Sequence, residues 1–148
     1  MQINVFTNVN LILLSLGYMM GIESTLWKLS CCNAFGSTIS FSCTPLFDSF
    51  AYEKQRKKNN FTFLVFYLGH ITLHVIPCIF ILYNLPENIE IHTCIIAFGI
   101  KVLWAFLTCG SIYLNDVYVP MEKNVWESTW FISFLSHFFP LFLIYIKR

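Results

Sequence analysis

Charge is what this sequence has least of. Only 11% of its 148 residues are Asp, Glu, Lys or Arg, against about 25% in a soluble domain. So little charge cannot cover a water-facing surface, which excludes an ordinary cytosolic enzyme. An excess of either sign is also missing. Nine Lys and Arg against eight Asp and Glu leave a formal net charge of +1, so no global field steers an anionic partner and a nucleic-acid binder of the basic-patch type is excluded. No CxxC pair occurs, alone or with an HxxxH, which argues against a structural zinc site. No metal and no cofactor is expected. Internal repeats and low-complexity tracts are absent, and the length allows one domain, two at most.

What is present is apolar. Hydrophobic residues make up 57% and aromatics 18% of the chain, with a mean hydropathy of +0.65. A bilayer span takes roughly 20 predominantly apolar residues, and four runs reach that length: Ile3–Ile22, Phe61–Asn84, Ile91–Leu114 and Trp126–Ile146. A fifth stretch, Leu29–Ala51, has the length but carries Asn33, Pro45, Asp48 and several serines. Such a segment survives in lipid only when its polar groups face other helices; its competitor is a re-entrant or interfacial hairpin. The expected fold is an all-α polytopic transmembrane bundle of four to five spans, a single integral membrane domain. The first run lacks a basic n-region and a small-residue cleavage site, so it reads as a retained span rather than a signal peptide.

Orientation follows from the cation bias of short loops. Glu53–Asn60 carries Lys54, Arg56, Lys57 and Lys58, whereas Leu85–Glu90 carries no cation. The basic loop is therefore expected in the cytoplasm, and the acidic one lumenal or external. With five spans the N-terminus is cytoplasmic and Lys147–Arg148 lies outside. The sequon Asn60-Phe61-Thr62 then falls on the cytoplasmic side, against a span, and is discounted. Tyr113, Tyr118, Trp126, Trp130 and Tyr145 lie near span ends, where aromatic belts form. The six cysteines, Cys31, Cys32, Cys43, Cys78, Cys94 and Cys109, lie in or beside apolar stretches and read as packing residues.

Ionisable groups inside hydrocarbon are costly and mark functional sites by default. His70, His74, Lys101 and His137 fall within expected spans, and His92 at a span end. His70 and His74, four residues apart, share a helix face. They are candidates for a metal pair, for haem ligation with a histidine of another helix, or for hydrogen bonds to neighbouring helices. Lys101 has three readings: snorkelling, pairing with Asp48, or contact with a lipid headgroup or carboxylate. A hydroxyl beside a histidine is the minimum nucleophile–base unit of acyl transfer, and Thr7 is the candidate hydroxyl, with Asn8 or Asn10 placed to donate to an oxyanion. The competing reading is an interfacial polar cluster. At 1.5 Å per residue, Thr7 lies about 9 Å, His70 roughly 14 Å and His74 roughly 20 Å from the cytoplasmic side, so Thr7 and His70 can meet if Leu29–Ala51 crosses, and His74 is too deep to join them.

Three segments in order carry a family resemblance: FTNVNLILLSLGY, LGHITLHVIPCIFIL and GIKVLWAFLTCGSIYLNDVYVPMEK. Together they resemble the androgen-induced, androgen-dependent TFPI-regulating family of multi-pass membrane proteins. The resemblance implies an intramembrane hydrolase of fatty-acid esters of hydroxy fatty acids, with Thr7 as nucleophile and His70, or alternatively His74, as the histidine. Asn8, Asn10, His74 and Lys101 are then expected to bind substrate, and membrane lipids and a lipid ester are the expected partners, in the endoplasmic reticulum or plasma membrane. Two alternatives stand beside it. One is a Cys/His lipid acyltransferase using Cys31, Cys32 or Cys43; the other is a non-catalytic membrane scaffold or assembly protein.

Overall fold

A computed structural model describes residues 6–114 and 121–147. Among them every regular element is helical. The helices are α1 (Phe6–Met19), α2 (Thr25–Cys43), α3 (Ala51–Lys58), α4 (Phe63–His70), α5 (Ile76–Tyr83), α6 (Ile91–Cys109), α7 (Lys123–Ser136) and α8 (Phe139–Lys147). A 3-10 turn, Thr44–Leu46, follows α2, and a π-helical turn, Ile71–Val75, joins α4 to α5. The chain thus forms an all-α bundle of five helical rods: α1, α2, α4–α5, α6 and α7–α8. Three of them, Phe63–Tyr83, Ile91–Cys109 and Lys123–Lys147, are long and apolar enough to cross a membrane. The fourth, α1, is apolar but only 14 residues long. Residues 3–5 of the first apolar run, and Tyr118 and Arg148, lie outside the described residues.

The fifth rod, α2, is the centre of the bundle. It begins four residues earlier than the run Leu29–Ala51, because the Ser24 side chain accepts the Trp27 N–H at 3.1 Å and caps the helix. It ends eight residues sooner, where Pro45 opens the 3-10 turn. Trp27, Ser30, Cys31, Cys32, Asn33, Ala34, Phe35, Gly36, Ser37 and Ser40 are buried along it, packed against α1, α5, α6, α7 and α8. Several hydroxyls bond the backbone one turn back: Ser30 Oγ donates to the Leu26 carbonyl at 2.7 Å, Ser40 Oγ to Gly36 at 2.7 Å and, just beyond the helix, Thr44 Oγ1 to Ser40 at 3.0 Å. The polar content that weakens α2 as an isolated span is therefore turned toward its own backbone and its neighbours.

Two close approaches fix the neighbours of α2. A Cβ on Gly17 of α1 would lie 2.8 Å from the backbone N and Cα of Trp27, so only glycine lets the α1–α2 hairpin close. A Cβ on Gly36 would run into the His137 imidazole at the end of α7. The main core cluster gathers Leu14, Trp27, Phe35, Ile81, Ala97 and Ile144, with Cys31, Cys32, Cys78 and Cys94 buried among them. These four thiols are packing residues, as expected, while Cys43 and Cys109 are half-buried. A second cluster joins Ala105 and Leu114 to Trp126 and Trp130. Trp126 and Trp130 thus face the protein interior rather than forming a belt. The Trp130 indole N–H donates to the Ile112 carbonyl at 2.8 Å. Tyr145, by contrast, is 78% exposed.

The outside is apolar. Leu64, Ile76, Ile95, Leu103, Phe131 and Phe142 are all exposed, the inverse of a soluble surface. Apart from Lys101 in the middle of α6, charge among the described residues lies on α3, in the connections and near the helix ends. On α3, Arg56 grips Glu53 through Nε at 2.8 Å and Nη2 at 2.7 Å, and Lys57 lies 3.3 Å from the same carboxylate. Hydrogen bonding from Arg56, reinforced by Lys57, lowers the Glu53 carboxyl from 4.5 to about 2. Asp48 pairs with Lys54 at 2.6 Å, which holds its carboxyl below the usual range. This corrects one sequence reading: Asp48 is not the partner of Lys101.

Candidate active site

Two adjoining cavities open beside α2, and both are bordered by Thr7 of α1, Phe41 of α2, Gln55 of α3 and His74 of the π turn. The first is small, about 80 Å³, and adds Lys101 and Trp104 of α6 with Trp126 and Thr129 of α7. The second, about 430 Å³, adds Asn8, Gly69 and His70. Thr7 itself is 8% exposed.

The histidines owe their placement to Pro77. Proline has no N–H to give the Leu73 carbonyl and its ring crowds that carbonyl. The helix widens instead, and the Ile76 N–H donates five residues back to Ile71. The loosened His74 carbonyl accepts the Thr38 hydroxyl of α2 at 3.1 Å. Both imidazoles then lie against Phe41. His74 stacks on it at 4.9 Å and 5°, while His70 is tilted at 5.0 Å. The two rings are 5.1 Å apart, and Tyr52 stacks on Phe41 at 5.0 Å while lying 5.7 Å from the His70 ring. Among the described residues the buried Nδ1 of His70 has no hydrogen-bond partner, and no hydrogen bond joins Thr7 to either histidine.

Lys101 is buried in α6. Its Nζ donates to Ser133 Oγ of α7 at 2.6 Å and to Ser40 Oγ of α2 at 3.4 Å, and lies 5.5 Å from the Trp130 ring centre and 5.8 Å from that of Phe6. The lysine–carboxylate pairs among the described residues are Lys28–Glu23, Lys54–Asp48, Lys57–Glu53 and Lys123–Glu127; Lys101 belongs to none. A lysine at mid-helix in a bilayer costs roughly 2.5–3.5 kcal/mol on insertion scales. The two hydroxyls and two ring faces offset part of that, but supply no opposing charge.

His137 and His92 do not join the site. His137 is fully buried, with Nδ1 against the Ser133 carbonyl and Nε2 3.3 Å from the Asn33 amide. Turning the Asn33 amide over gives the ring a consistent neutral state: Nδ1–H donates to Ser133, and Asn33 Nδ2 donates to Nε2. That also satisfies the Asn33 nitrogen, which otherwise lacks a partner. His137 is a packing keystone. His92 is exposed and pairs with Glu90 at 3.0 Å. Asn10 is buried, its Oδ1 without a partner among the described residues, and borders neither cavity. Cys31, Cys32 and Cys43 border neither cavity either. No cluster of three or more metal-ligating side chains occurs among the described residues.

Of the residues expected to work together, the cavities gather Thr7, Asn8, His70, His74 and Lys101, and leave Asn10 aside; His74, too deep by helix arithmetic, in fact borders both cavities with Thr7, the π turn having broken the regular rise on which that arithmetic rests. Sequence reasoning missed Ser37, Ser40, Tyr52, Gln55, Thr129 and Ser133. The available signal was Lys101 itself, since a lysine in an apolar helix needs hydroxyls from its neighbours. Comparison of the chain with protein-family models, curated proteins and solved structures finds no match.

Proposed function

We propose that the chain is a multi-pass integral membrane protein of the endoplasmic reticulum or plasma membrane, and that its bundle houses a lipid-ester hydrolase centre. The observation that carries this reading is that Thr7, His70 and His74 border one cavity, inside a bundle whose outer surface is apolar. Thr7 Oγ1 attacks the ester carbonyl while a histidine takes its proton; the same imidazole protonates the departing alkoxide, leaving an acyl-threonine. Water, deprotonated by that histidine, then releases the acid. Asn8, on the same cavity, is the oxyanion donor that fits best. His70 is the better base, because its Nδ1 is uncommitted, whereas the His74 ring is stacked flat on Phe41. The Thr7–His70 bond forms as substrate settles, a tightening common in hydrolases.

Labelling of the full chain in membranes with a fluorophosphonate probe tests the mechanism. Wild type should label, Thr7→Ala should lose labelling, and His70→Ala should reduce it at least a hundredfold, the usual contribution of a general base. Labelling retained in Thr7→Ala would reject the threonine nucleophile. A wild type that never labels would leave the scaffold reading in its place.

A further inference from the structure

We propose that Lys101 and Ser37 form a carboxylate-binding site, and that its ligand is a long-chain carboxylic acid whose head alone enters this cavity, the chain leading out through the mouth. The inference goes beyond the hydrolase reading and stands whether or not Thr7 reacts. Two buried donors on the same cavity wall carry it. An ammonium has three N–H donors; those of Lys101 meet the two neutral hydroxyls of Ser133 and Ser40, which supply dipoles but no charge. Ser37 Oγ is buried and, among the described residues, has no hydrogen-bond partner, and it borders the same cavity as Lys101. A buried polar group without a partner is costly, and a buried cation without an anion more so. One ligand with two adjacent oxygens and one negative charge relieves both.

The rest of the cavity narrows the ligand class. Phe6, Phe41, Trp104 and Trp126 line it alongside polar side chains such as Thr7, Thr44, Gln55 and Thr129, and most of the lining surface is apolar, which suits an anion whose remainder is apolar. Lys101 is the only lysine or arginine among the lining residues. That matches a monoanion, whereas a phosphate monoester carries about −1.5 to −2 and would bury negative charge without compensation. A carboxylate places one oxygen on Nζ and the other on Ser37 Oγ.

The full chain in phosphatidylcholine nanodiscs is titrated with radiolabelled oleate, oleyl alcohol and oleoyl lysophosphatidate, with protein-free discs as background. Wild type should bind oleate saturably and at least tenfold more tightly than the alcohol. Lys101→Gln should bring acid and alcohol within twofold of each other, and Ser37→Ala should weaken oleate three- to tenfold without changing the alcohol. Thermal unfolding of each variant checks that it folds; if Lys101→Gln does not, Ser37→Ala carries the test alone. Equal binding of acid and alcohol by wild type, or full acid preference in the folded variants, would overturn the proposal. Tighter binding of the lysophosphatidate than of oleate would reassign the head to phosphate and overturn it as stated. Absence of ester hydrolysis with oleate preference intact would sink the hydrolase reading alone, and the converse would sink this one alone.

Discussion

Replacing Gly36 by alanine tests how α2 and α7 are held together. The new Cβ would lie 2.7 Å from His137 Nε2 and closer still to Cε1 and Nδ1. A flexible side chain could swing away, but this ring is fully buried and fastened at both nitrogens, to the Ser133 carbonyl and the Asn33 amide. Phe98 closes one side at 5.4 Å, edge-on. Overpacking of this kind costs typically 1–3 kcal/mol. Displacing the ring forfeits hydrogen bonds worth about 0.5–1.5 kcal/mol each and leaves Asn33 buried without a partner. The expected loss is therefore about 2–5 kcal/mol, of order 10 °C in the unfolding midpoint for a chain of this size. The assay is thermal unfolding in detergent of Gly36→Ala, His137→Ala and the double variant. If the clash is the cause, removing the imidazole makes room for the methyl group. Gly36→Ala should then cost at least about 1 kcal/mol less in the His137→Ala background, a coupling within the range seen for contacting residues. A Gly36→Ala cost under about 0.5 kcal/mol, typical of neutral surface changes, or an equal cost in both backgrounds, would refute the reasoning.

Gly17→Ala should destabilise by about 1–3 kcal/mol, because its Cβ meets the backbone of Trp27 rather than a movable side chain. Unlike Gly36→Ala, its cost should be indifferent to His137→Ala, which the same unfolding assay reads. On α3, the Glu53 carboxyl is lowered from 4.5 to about 2 by Arg56 and Lys57. A depressed folded value means the ion pairs favour the folded form above pH 4.5, and this contribution is lost as pH falls toward 2. Amide hydrogen exchange within α3 should therefore lose protection across that window in wild type, relative to Glu53→Gln. Identical profiles would show that the Arg56 grip does not hold the helix.

The three apolar rods were legible in the sequence because hydropathy is a sum over many residues and tolerates local error. Phe61–Asn84, Ile91–Leu114 and Trp126–Ile146 contain or closely overlap Phe63–Tyr83, Ile91–Cys109 and Lys123–Lys147. The ends differ where single residues decide them. The third run stops at Cys109 because Gly110 adopts φ +67° and closes the helix; the last is interrupted after Ser136, where Pro140 has no N–H for the carbonyl four residues back. The π turn escaped because periodicity reads a helix as regular, and only the pairing of Pro77 with the Leu73 carbonyl breaks it. The central place of α2 escaped for another reason. Its low hydropathy is a property of the residues, but the partners that absorb its polarity come from helices 30 to 100 positions away. Thr7, Asn8 and the two histidines were found as polar residues out of place in lipid. Ser37 and Ser40 were not, since a serine hydroxyl bonded within its own helix resembles one that awaits a partner.

That central helix also sets a condition on how the chain is made. Ser30 and Ser40 bond their own backbone, but Asn33 meets His137, and Ser40 also meets Lys101 of α6. When α2 leaves the ribosome, neither α6 nor α7 has been synthesised. During that interval α2 has too little hydropathy to settle alone and neither of these partners to settle against. Until they arrive, the neighbour α2 does have is α1, held against it through the close Gly17–Trp27 approach.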